Sequence, residues 1–410
     1  MRILVVSSTF PRWQGDTEPA FVFELCKRLH KPGFDVDVIA PHAPGARNRE
    51  AMQGINIYRY HYCPERLEIL TYDGGILANL GHHWFGVLAV PFFLFFQAIA
   101  VWRRLRKEQY DLVHAHWILP QGLVCVFVNM LRGHRHRKPL VCTSHGGDLY
   151  ALRGWPFNTI KYFVMGRLSH LCVVSRAMKE TCIAGGAKPE RISVLPMGVD
   201  LKKTFIPMAN TERGDHRLVF VGRLVEKKGI LYAIDAVAII KKVIPDIELI
   251  IVGDGPKMPM IKQKITQHGL EQNITLAGSL ANHELPFIYS SAAVLVMPSV
   301  VDSYGDQEGF GLVIVEAMGC GCAVVASDLP AIHDTVKHGQ NGLLAKPGDA
   351  VDLADKILHL LRDKEMRTRL ATNGRESVCS RFDWDATAAQ YHKLFADLLA
   401  QSVTRSAGNN

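Results

Sequence analysis

The sequence predicts an α/β protein of two doubly wound domains, each a parallel sheet covered by helices. Three observations carry this. Its 410 residues fill about two or three ordinary domains. Short, wholly apolar runs alternate with helix-length segments, as parallel strands buried on both faces require. The alternation breaks at Pro196–His216, which is rich in Pro, Lys and polar residues, and restarts at Leu218.

Hydrophobic residues make up 48% of the chain and charged residues 21%, the balance of a soluble globular protein. The formal net charge of +8 suits an anionic substrate, an anionic membrane surface or nucleic acid. No run of Lys and Arg interleaved with aromatics forms a nucleic-acid platform, so nucleic acid is set aside as a partner. Nine cysteines are scattered without a CxxC pair, so neither a disulfide framework nor a structural zinc site is expected. The opening MRILVVSSTF has one Arg, a short apolar run and then Pro11. It reads as a first strand and not as a secretion signal, which places the chain in a reducing cytoplasm.

The elements follow in order. Ile3–Val6 is a strand, Ser7–Pro19 a loop carrying Gly15 and Asp16, Phe21–Leu29 a helix and Val36–Ala40 a second strand. In a doubly wound sheet ligands meet the carboxyl ends of strands, so Thr9–Pro19 faces a cleft, unless it is an ordinary βα connection. Trp84–Trp102 holds nineteen residues without a formal charge, near the lower limit for crossing a bilayer. Pro91 and Gln97 weaken a span, and Arg103, Arg104, Arg106 and Lys107 follow directly. Three readings stay open here: a core helix, a helix lying in a membrane interface with its basic residues against anionic headgroups, and a true span.

Tyr110–Trp117 and Leu140–Asp148 are strands that each end in histidine, at His114 and His116 and at His145. His145 is the functional candidate because Gly146 and Gly147 open the backbone beside it. His114 reads as structural. No third ligand stands at helix or hairpin spacing to these histidines, so zinc is not expected there. Leu171–Ser175 and Ile192–Pro196 complete the first half.

In the second half, Leu218–Val221 is a strand running into Gly222–Gly229, followed by a helix over Ile230–Val243. Arg223 and Lys228 in that loop suit a diphosphate clamp, with a solvated basic turn as the plainer alternative. Glu248–Val252 meets Gly253-Asp254-Gly255-Pro256, which is not a GxGxxG fingerprint, so a nicotinamide cofactor lacks support. Strands follow at Ile274–Gly278, Ala293–Pro298, Ala323–Ser327 and Gly342–Ala345. Helices are expected near His283–Ser291 and over Val351–Arg362, Glu365–Ala371 and Phe382–Ala400. The aspartates of Asp35–Asp37 and Asp383–Asp385 are not read as metal sites.

Pro298–Met318 is the centre of the arrangement. Glu308 and Glu316 stand eight residues apart. A helix beginning near Gly309 puts Glu308 ahead of its first turn and Glu316 about two turns inside. Its free N–H groups and dipole suit an anion, and two carboxylates beside that anion suit sugar hydroxyls. A buried helix with a solvated carboxylate at each end is the alternative on spacing alone.

With GRLVEKKG, GDGP, PS…EGFGLVIVEAM and NGLL in this order, the chain resembles the GT-B glycosyltransferases of family 4. These are retaining enzymes that use nucleotide-diphosphate sugars. The resemblance implies two Rossmann-like domains facing a cleft: an acceptor domain over 1–196, a linker over 197–216, a donor domain over 217–381, and a last helix over 382–410 that crosses back. It implies that Arg223 and Lys228 bind the donor diphosphate, Glu308 the donor sugar and Glu316 the ribose. Gly15, Gly222, Gly253, Gly309, Phe310, Gly311 and Leu312 line the donor. His145 stands beside the reacting centre, and Asp16, His116 and Asp148 lie on the acceptor side. The family usually pairs glycines where Asp16 follows Gly15 here.

The resemblance implies no cofactor and no metal, since Arg223, Lys228 and a helix N-terminus can meet the charge on the leaving diphosphate. The expected function is hexosyl transfer from a UDP- or GDP-sugar to a lipid-linked glycan in surface polysaccharide or glycolipid synthesis. Transfer to a soluble acceptor and epimerisation of a nucleotide sugar on the same architecture are the alternatives. The expected location is the cytoplasm, with contact through 84–107 to the inner face of the membrane as the further option.

Overall fold

The computed structural model describes residues 1–16, 20–30, 33–72, 75–76, 79–80, 86–133 and 136–407. The chain divides into two units. One comprises Met1–Val174, Met178–Leu195 and the residues from Thr387 onward; the other comprises Ser175–Ala177 and Pro196–Ala386.

The first unit holds strands β1 (Arg2–Val6), β2 (Asp35–Pro41), β3 (Arg49–Met52), β4 (Ile55–Tyr60), β5 (Leu112–His116), β6 (Leu140–Ser144), β7 (His170–Val173) and β8 (Ile192–Val194). They form one sheet in the order β3-β4-β2-β1-β5-β6-β7-β8. All neighbours are parallel except β3 and β4. Ile3 through Val6 are fully buried, as a central strand covered on both faces must be. The β3–β4 hairpin turns through Gln53 and Gly54, both at positive φ (49° and 87°), the geometry that matches strand twist. Apolar patterning does not reveal β3, whose sequence is REAM with one buried residue.

The Asp35–Asp37 pair sits on β2, and Asp37 knots the sheet together. Its carboxylate accepts from Arg2 Nη2 at 2.9 Å, Arg104 Nη2 at 2.8 Å and Asn56 Nδ2 at 2.9 Å, and also from the Tyr110 hydroxyl. Burial alone would raise its pKa, but the Tyr110 and Asn56 hydrogen bonds and the two guanidiniums outweigh that and lower it.

Helix α1 (Phe21–His30) follows β1. Helix α2 (Gly86–Lys107) buries Phe93, Gln97, Val101 and Leu105, a single stripe at four-residue spacing. Trp84 and the residue after it lie outside the described residues. Val87, Leu88, Phe92, Phe95 and Phe96 of α2 are exposed. α2 packs on helix α3 (Leu123–Leu131), and α3 on helix α4 (Phe157–Met165).

The second unit holds β9 (Gly214–Val221), β10 (Glu248–Val252), β11 (Ile274–Gly278), β12 (Ala292–Met297), β13 (Ala323–Ser327) and β14 (Leu343–Ala345). The order is β11-β10-β9-β12-β13-β14, parallel throughout. Helix α5 (Ile230–Lys241) covers one face, and helix α6 (Leu312–Gly319) follows β12. The segment expected as a linker folds into this unit. Leu201 and Phe205 are buried, the Val199 N–H donates to Phe382 O at 2.9 Å, and β9 already starts at Gly214. The helix expected over Glu365–Ala371 runs on to Arg381, with Asp363 capping its start through the Met366 N–H at 2.8 Å. The last helix, α7 (Trp384–Ala407), belongs to the first unit from Thr387. There Tyr391 hydrogen-bonds Thr143 at 3.1 Å, and Phe395 packs on Phe34 and His114.

All nine cysteines are free. Seven are buried, and Cys63 and Cys379 are partly exposed. Burial pushes the thiols of Cys125, Cys172, Cys182, Cys320 and Cys322 up to about 12.

Candidate active site

Strand order reverses beside β9 in the second unit, where β10 lies on one side and β12 on the other. Ligands of open α/β sheets bind at the carboxyl ends of strands at such a point. The loops that leave β9 and β12 there are Gly222–Gly229 and Pro298–Gly311. They are bolted to each other. The Val300 N–H donates to Lys227 O at 2.8 Å, Lys227 Nζ pairs with Asp306 at 2.8 Å, and Lys228 Nζ pairs with Glu308 Oε2 at 2.7 Å. Gly229 has φ +66°, and a Cβ there would lie 1.8 Å from Pro298 O. Only glycine allows this close approach, and it carries Lys228 to Glu308.

Glu308 is bound on both oxygens. Oε1 accepts the N–H groups of Gly309 at 3.1 Å, Phe310 at 3.4 Å and Gly311 at 3.2 Å. This corrects the expected helix start. The three amides close on Glu308, so α6 begins at Leu312, with Gly311 as its left-handed cap. Glu316 is then its fifth residue. Of the four backbones expected along the donor, Leu312 alone belongs to the helix proper. Burial alone would raise the Glu308 pKa. The Lys228 ammonium, helped by Lys227 and the Phe310 N–H, outweighs burial and holds it at about 2.

Glu316 behaves in the opposite way. Burial pushes its carboxyl up to about 7, against the pull of the Tyr289 hydroxyl and the Lys228 charge. Tyr289 OH donates to Glu316 Oε2 at 2.9 Å. No spacing marks Tyr289 in the sequence; it stands 27 residues away on a separate helix. Lys228 thus acts electrostatically on both glutamates.

Gly222 and Gly253 end neighbouring strands β9 and β10. A Cβ on Gly253 would come 2.0 Å from Gly222 O, so these glycines serve the contact between two loops. Arg223 is exposed on the first of them.

The pKa of Glu316 implies a pH-dependent stability. Its carboxyl moves from 4.5 to about 7 on folding. Between those values the folded chain keeps a proton that the unfolded chain releases. Stability therefore falls as pH rises through this window, by about 3 kcal/mol in full. Glu316→Gln is expected to flatten that slope in thermal melts from pH 5 to 8. Parallel wild-type and variant profiles would refute the assignment.

In the first unit, β5 and β6 place His116 and His145 together. His116 Nδ1 lies 2.9 Å from His145 Nε2, and the rings stack with planes 12° apart. Phe21 and Trp117 flank His145 at 4.9 and 5.0 Å. Burial holds His145 at about 3 and His116 well below its ordinary value. The pair is neutral at pH 7 and offers hydrogen bonds, not charge. Asp148 accepts from the Ile118 N–H at 2.6 Å, the Ser144 hydroxyl at 2.9 Å and the His145 N–H at 3.1 Å. It holds the His145 loop in place. The Asp16 carboxylate is forked onto the Arg12 guanidinium at 2.9 and 2.8 Å, while Gly15, at φ +85°, has open space where a Cβ would stand. His114 is fully buried and bonds Thr143 at 2.8 Å.

Comparison with known proteins extends these observations. The family profile "Glycosyl transferases group 1" matches residues 202–377, and "Glycosyltransferase Family 4" matches residues 20–203. N-acetyl-alpha-D-glucosaminyl L-malate synthase of Bacillus anthracis is 25% identical, over 72% of this chain and 76% of that one. The GDP-mannose-dependent alpha-(1-6)-phosphatidylinositol monomannoside mannosyltransferase of Mycobacterium tuberculosis is 29% identical, over 61% of this chain and 68% of that one. The structure of sucrose-phosphate synthase from Thermosynechococcus elongatus shares the fold, with TM-score 0.79 and 24% identity over 98% of this chain and 100% of that one. Matched from residue 20 to residue 377 by the two profiles, and built on two doubly wound sheets, the chain belongs to the group 1, family 4 glycosyltransferases of the GT-B fold.

Proposed function

We propose a retaining, metal-independent hexosyltransferase that moves sugar from a UDP- or GDP-hexose to a lipid-linked glycan acceptor. The observation that carries this is the Lys228–Glu308 contact of 2.7 Å at the carboxyl edge of β9 and β12. Breaking the sugar–phosphate bond builds negative charge on the departing diphosphate. Lys228, Arg223 and the start of α6 meet that charge in a partly dry site. Glu308, held ionised, accepts hydrogen bonds from the donor sugar, and Glu316 those of the ribose. The acceptor hydroxyl attacks on the face the diphosphate leaves, and a diphosphate oxygen takes its proton. His145, neutral in the first unit, offers a hydrogen bond and no charge.

The first unit's surface supports a lipid acceptor. Beside the exposed apolar side chains of α2, Phe127, Met130 and Leu131 on the neighbouring α3 and Trp155, Phe157 and Tyr162 at α4 are exposed as well. Arg103, Arg106 and Lys107 follow, also exposed. An apolar band with a basic margin suits the cytoplasmic face of an anionic bilayer. The mannosyltransferase relative, named for a phosphatidylinositol acceptor, supports this reading. Sucrose-phosphate synthase, with its name, favours the soluble acceptor.

One experiment separates the readings. The enzyme is incubated in chelator with labelled UDP- and GDP-hexoses and membrane lipid extract, and product anomers are determined by NMR. Label in the organic phase with retained configuration is expected. Label only in a water-soluble glycoside would transfer the assignment to a soluble acceptor. A changed free nucleotide sugar would indicate an epimerase.

A further inference from the structure

Two histidines and a glutamate outside the site just described meet at the carboxyl edge of the first sheet. β2 and β4 are parallel neighbours with Pro41 opposite Tyr60, and the His42 N–H donates to Tyr60 O at 2.9 Å. Side chains in register on neighbouring strands leave the same face. His42 and His61, each one residue further on, therefore stack with ring centroids 3.8 Å apart. Glu68 follows the short turn Glu65–Leu67. Its Oε2 lies 2.6 Å from His42 Nδ1 and its Oε1 2.9 Å from His61 Nδ1. The Glu68 side chain is fully buried and that of His42 nearly so, whereas that of His61 is 45% exposed.

A count of protons exposes the problem. His42 Nε2 stands 2.9 Å from the backbone oxygen of Ala46, which can only accept, so that nitrogen carries a proton. His61 Nε2 faces the Asn48 side-chain amide at 2.7 Å, and with the amide oxygen towards it that nitrogen carries a proton too. In neutral rings so arranged both Nδ1 atoms are lone pairs, and both aim at a carboxylate that also offers only lone pairs. A proton on the His42 ring with the Asn48 amide turned over relieves the contact, and so does a cation shared by all three groups. One divalent cation satisfies all three acceptors at once. The outward Nε2–H bonds to Ala46 and Asn48 are the kind that orient metal-bound histidines.

We propose that His42, His61 and Glu68 bind one divalent cation of the zinc class through the two Nδ1 atoms and a carboxylate oxygen. Water completes the set on the exposed side of His61. The three ligand atoms lie within 4.8 Å of one another. A tetrahedral ion needs roughly 3.4 Å between ligands, so the contacts of 2.6 and 2.9 Å open by less than about 1 Å and the widest pair, at most 4.8 Å, closes by no more than about 1.4 Å. The ion ties the loop after β2, the end of β4 and the segment around Glu68 into one piece. The proposal stands whatever the acceptor is.

The test uses untagged, chelator-stripped, full-length protein. Calorimetry with Zn²⁺ is expected to show one bound equivalent, and Co²⁺ the visible spectrum of a four-coordinate ion. His61→Ala, at the half-exposed ring, and Glu68→Gln, of unchanged shape, should each weaken binding at least tenfold with the circular dichroism unaltered. His333→Ala, at a histidine–aspartate pair in the second unit, should leave it unchanged. No uptake of Zn²⁺, or uptake indifferent to both first variants, would overturn the proposal. So would NMR titration showing two imidazoliums that ignore added metal.

Discussion

Lys228→Ala is expected to lower kcat by about two to three powers of ten, roughly 3–4 kcal/mol of transition-state stabilisation, as loss of a fixed donor to a developing anion does. The geometry makes the variant informative. Lys228 Nζ is one of two partners holding Glu308, the other being the row of N–H groups from Gly309 to Gly311. Removing the ammonium leaves that row in place, so the loop keeps its shape while the charge goes. Glu308 then loses the strongest influence lowering its pKa, and the acid limb of the pH profile should move upward. Lys227→Ala is the control. Its ammonium pairs with Asp306 at 2.8 Å, and its loss should cost far less turnover. A Lys228→Ala enzyme within threefold of wild-type kcat would remove the leaving-group role.

Asp37→Ala is expected to destabilise the first unit by about 3 kcal/mol, the cost of stranding buried charges that had a partner. Arg104, 11% exposed in its side chain, is left with Glu108 at 3.9 Å as its anion, and Arg2 with Glu108 at 2.8 Å. Arg2→Ala should cost less, because Arg104, Tyr110 and Asn56 still satisfy the carboxylate. Two units need not unfold together, so a single global transition is the wrong readout. The first unit's own melting, followed by near-ultraviolet signals of Tyr110 and its neighbours, is the measurement. A shift under 0.5 kcal/mol would show that the four donors do not act as a set.

Much of the fold was legible because parallel strands covered on both faces must be continuous apolar runs, and those runs are short enough to be told from helices. The close packing of the loops after β9 and β12 was legible because Gly222–Gly229 carries glycines at positions such as Gly229, where a close backbone approach admits no side chain. What stayed hidden was set by partners far apart in sequence. Tyr289 meets Glu316 through two helices, and Asp37 collects Arg2, Asn56, Arg104 and Tyr110 from four segments. The helix start was misjudged by three residues because a side chain competed for the first amides. His42, His61 and Glu68 match no local spacing; the pairing of Pro41 with Tyr60 brings the two rings side by side, and the turn at Glu65–Leu67 delivers Glu68 to them.

The burial of seven of the nine thiols gives the chain its own gauge of partial opening. A thiol-reactive reagent meets two sulfurs on the native molecule, at Cys63 and Cys379, and every further adduct reports a breach. Cys26, Cys125, Cys142, Cys172 and Cys182 belong to one unit, and Cys320 and Cys322 to the other. The masses of the tagged peptides therefore tell which half loosens first under heat or denaturant, with no label engineered in.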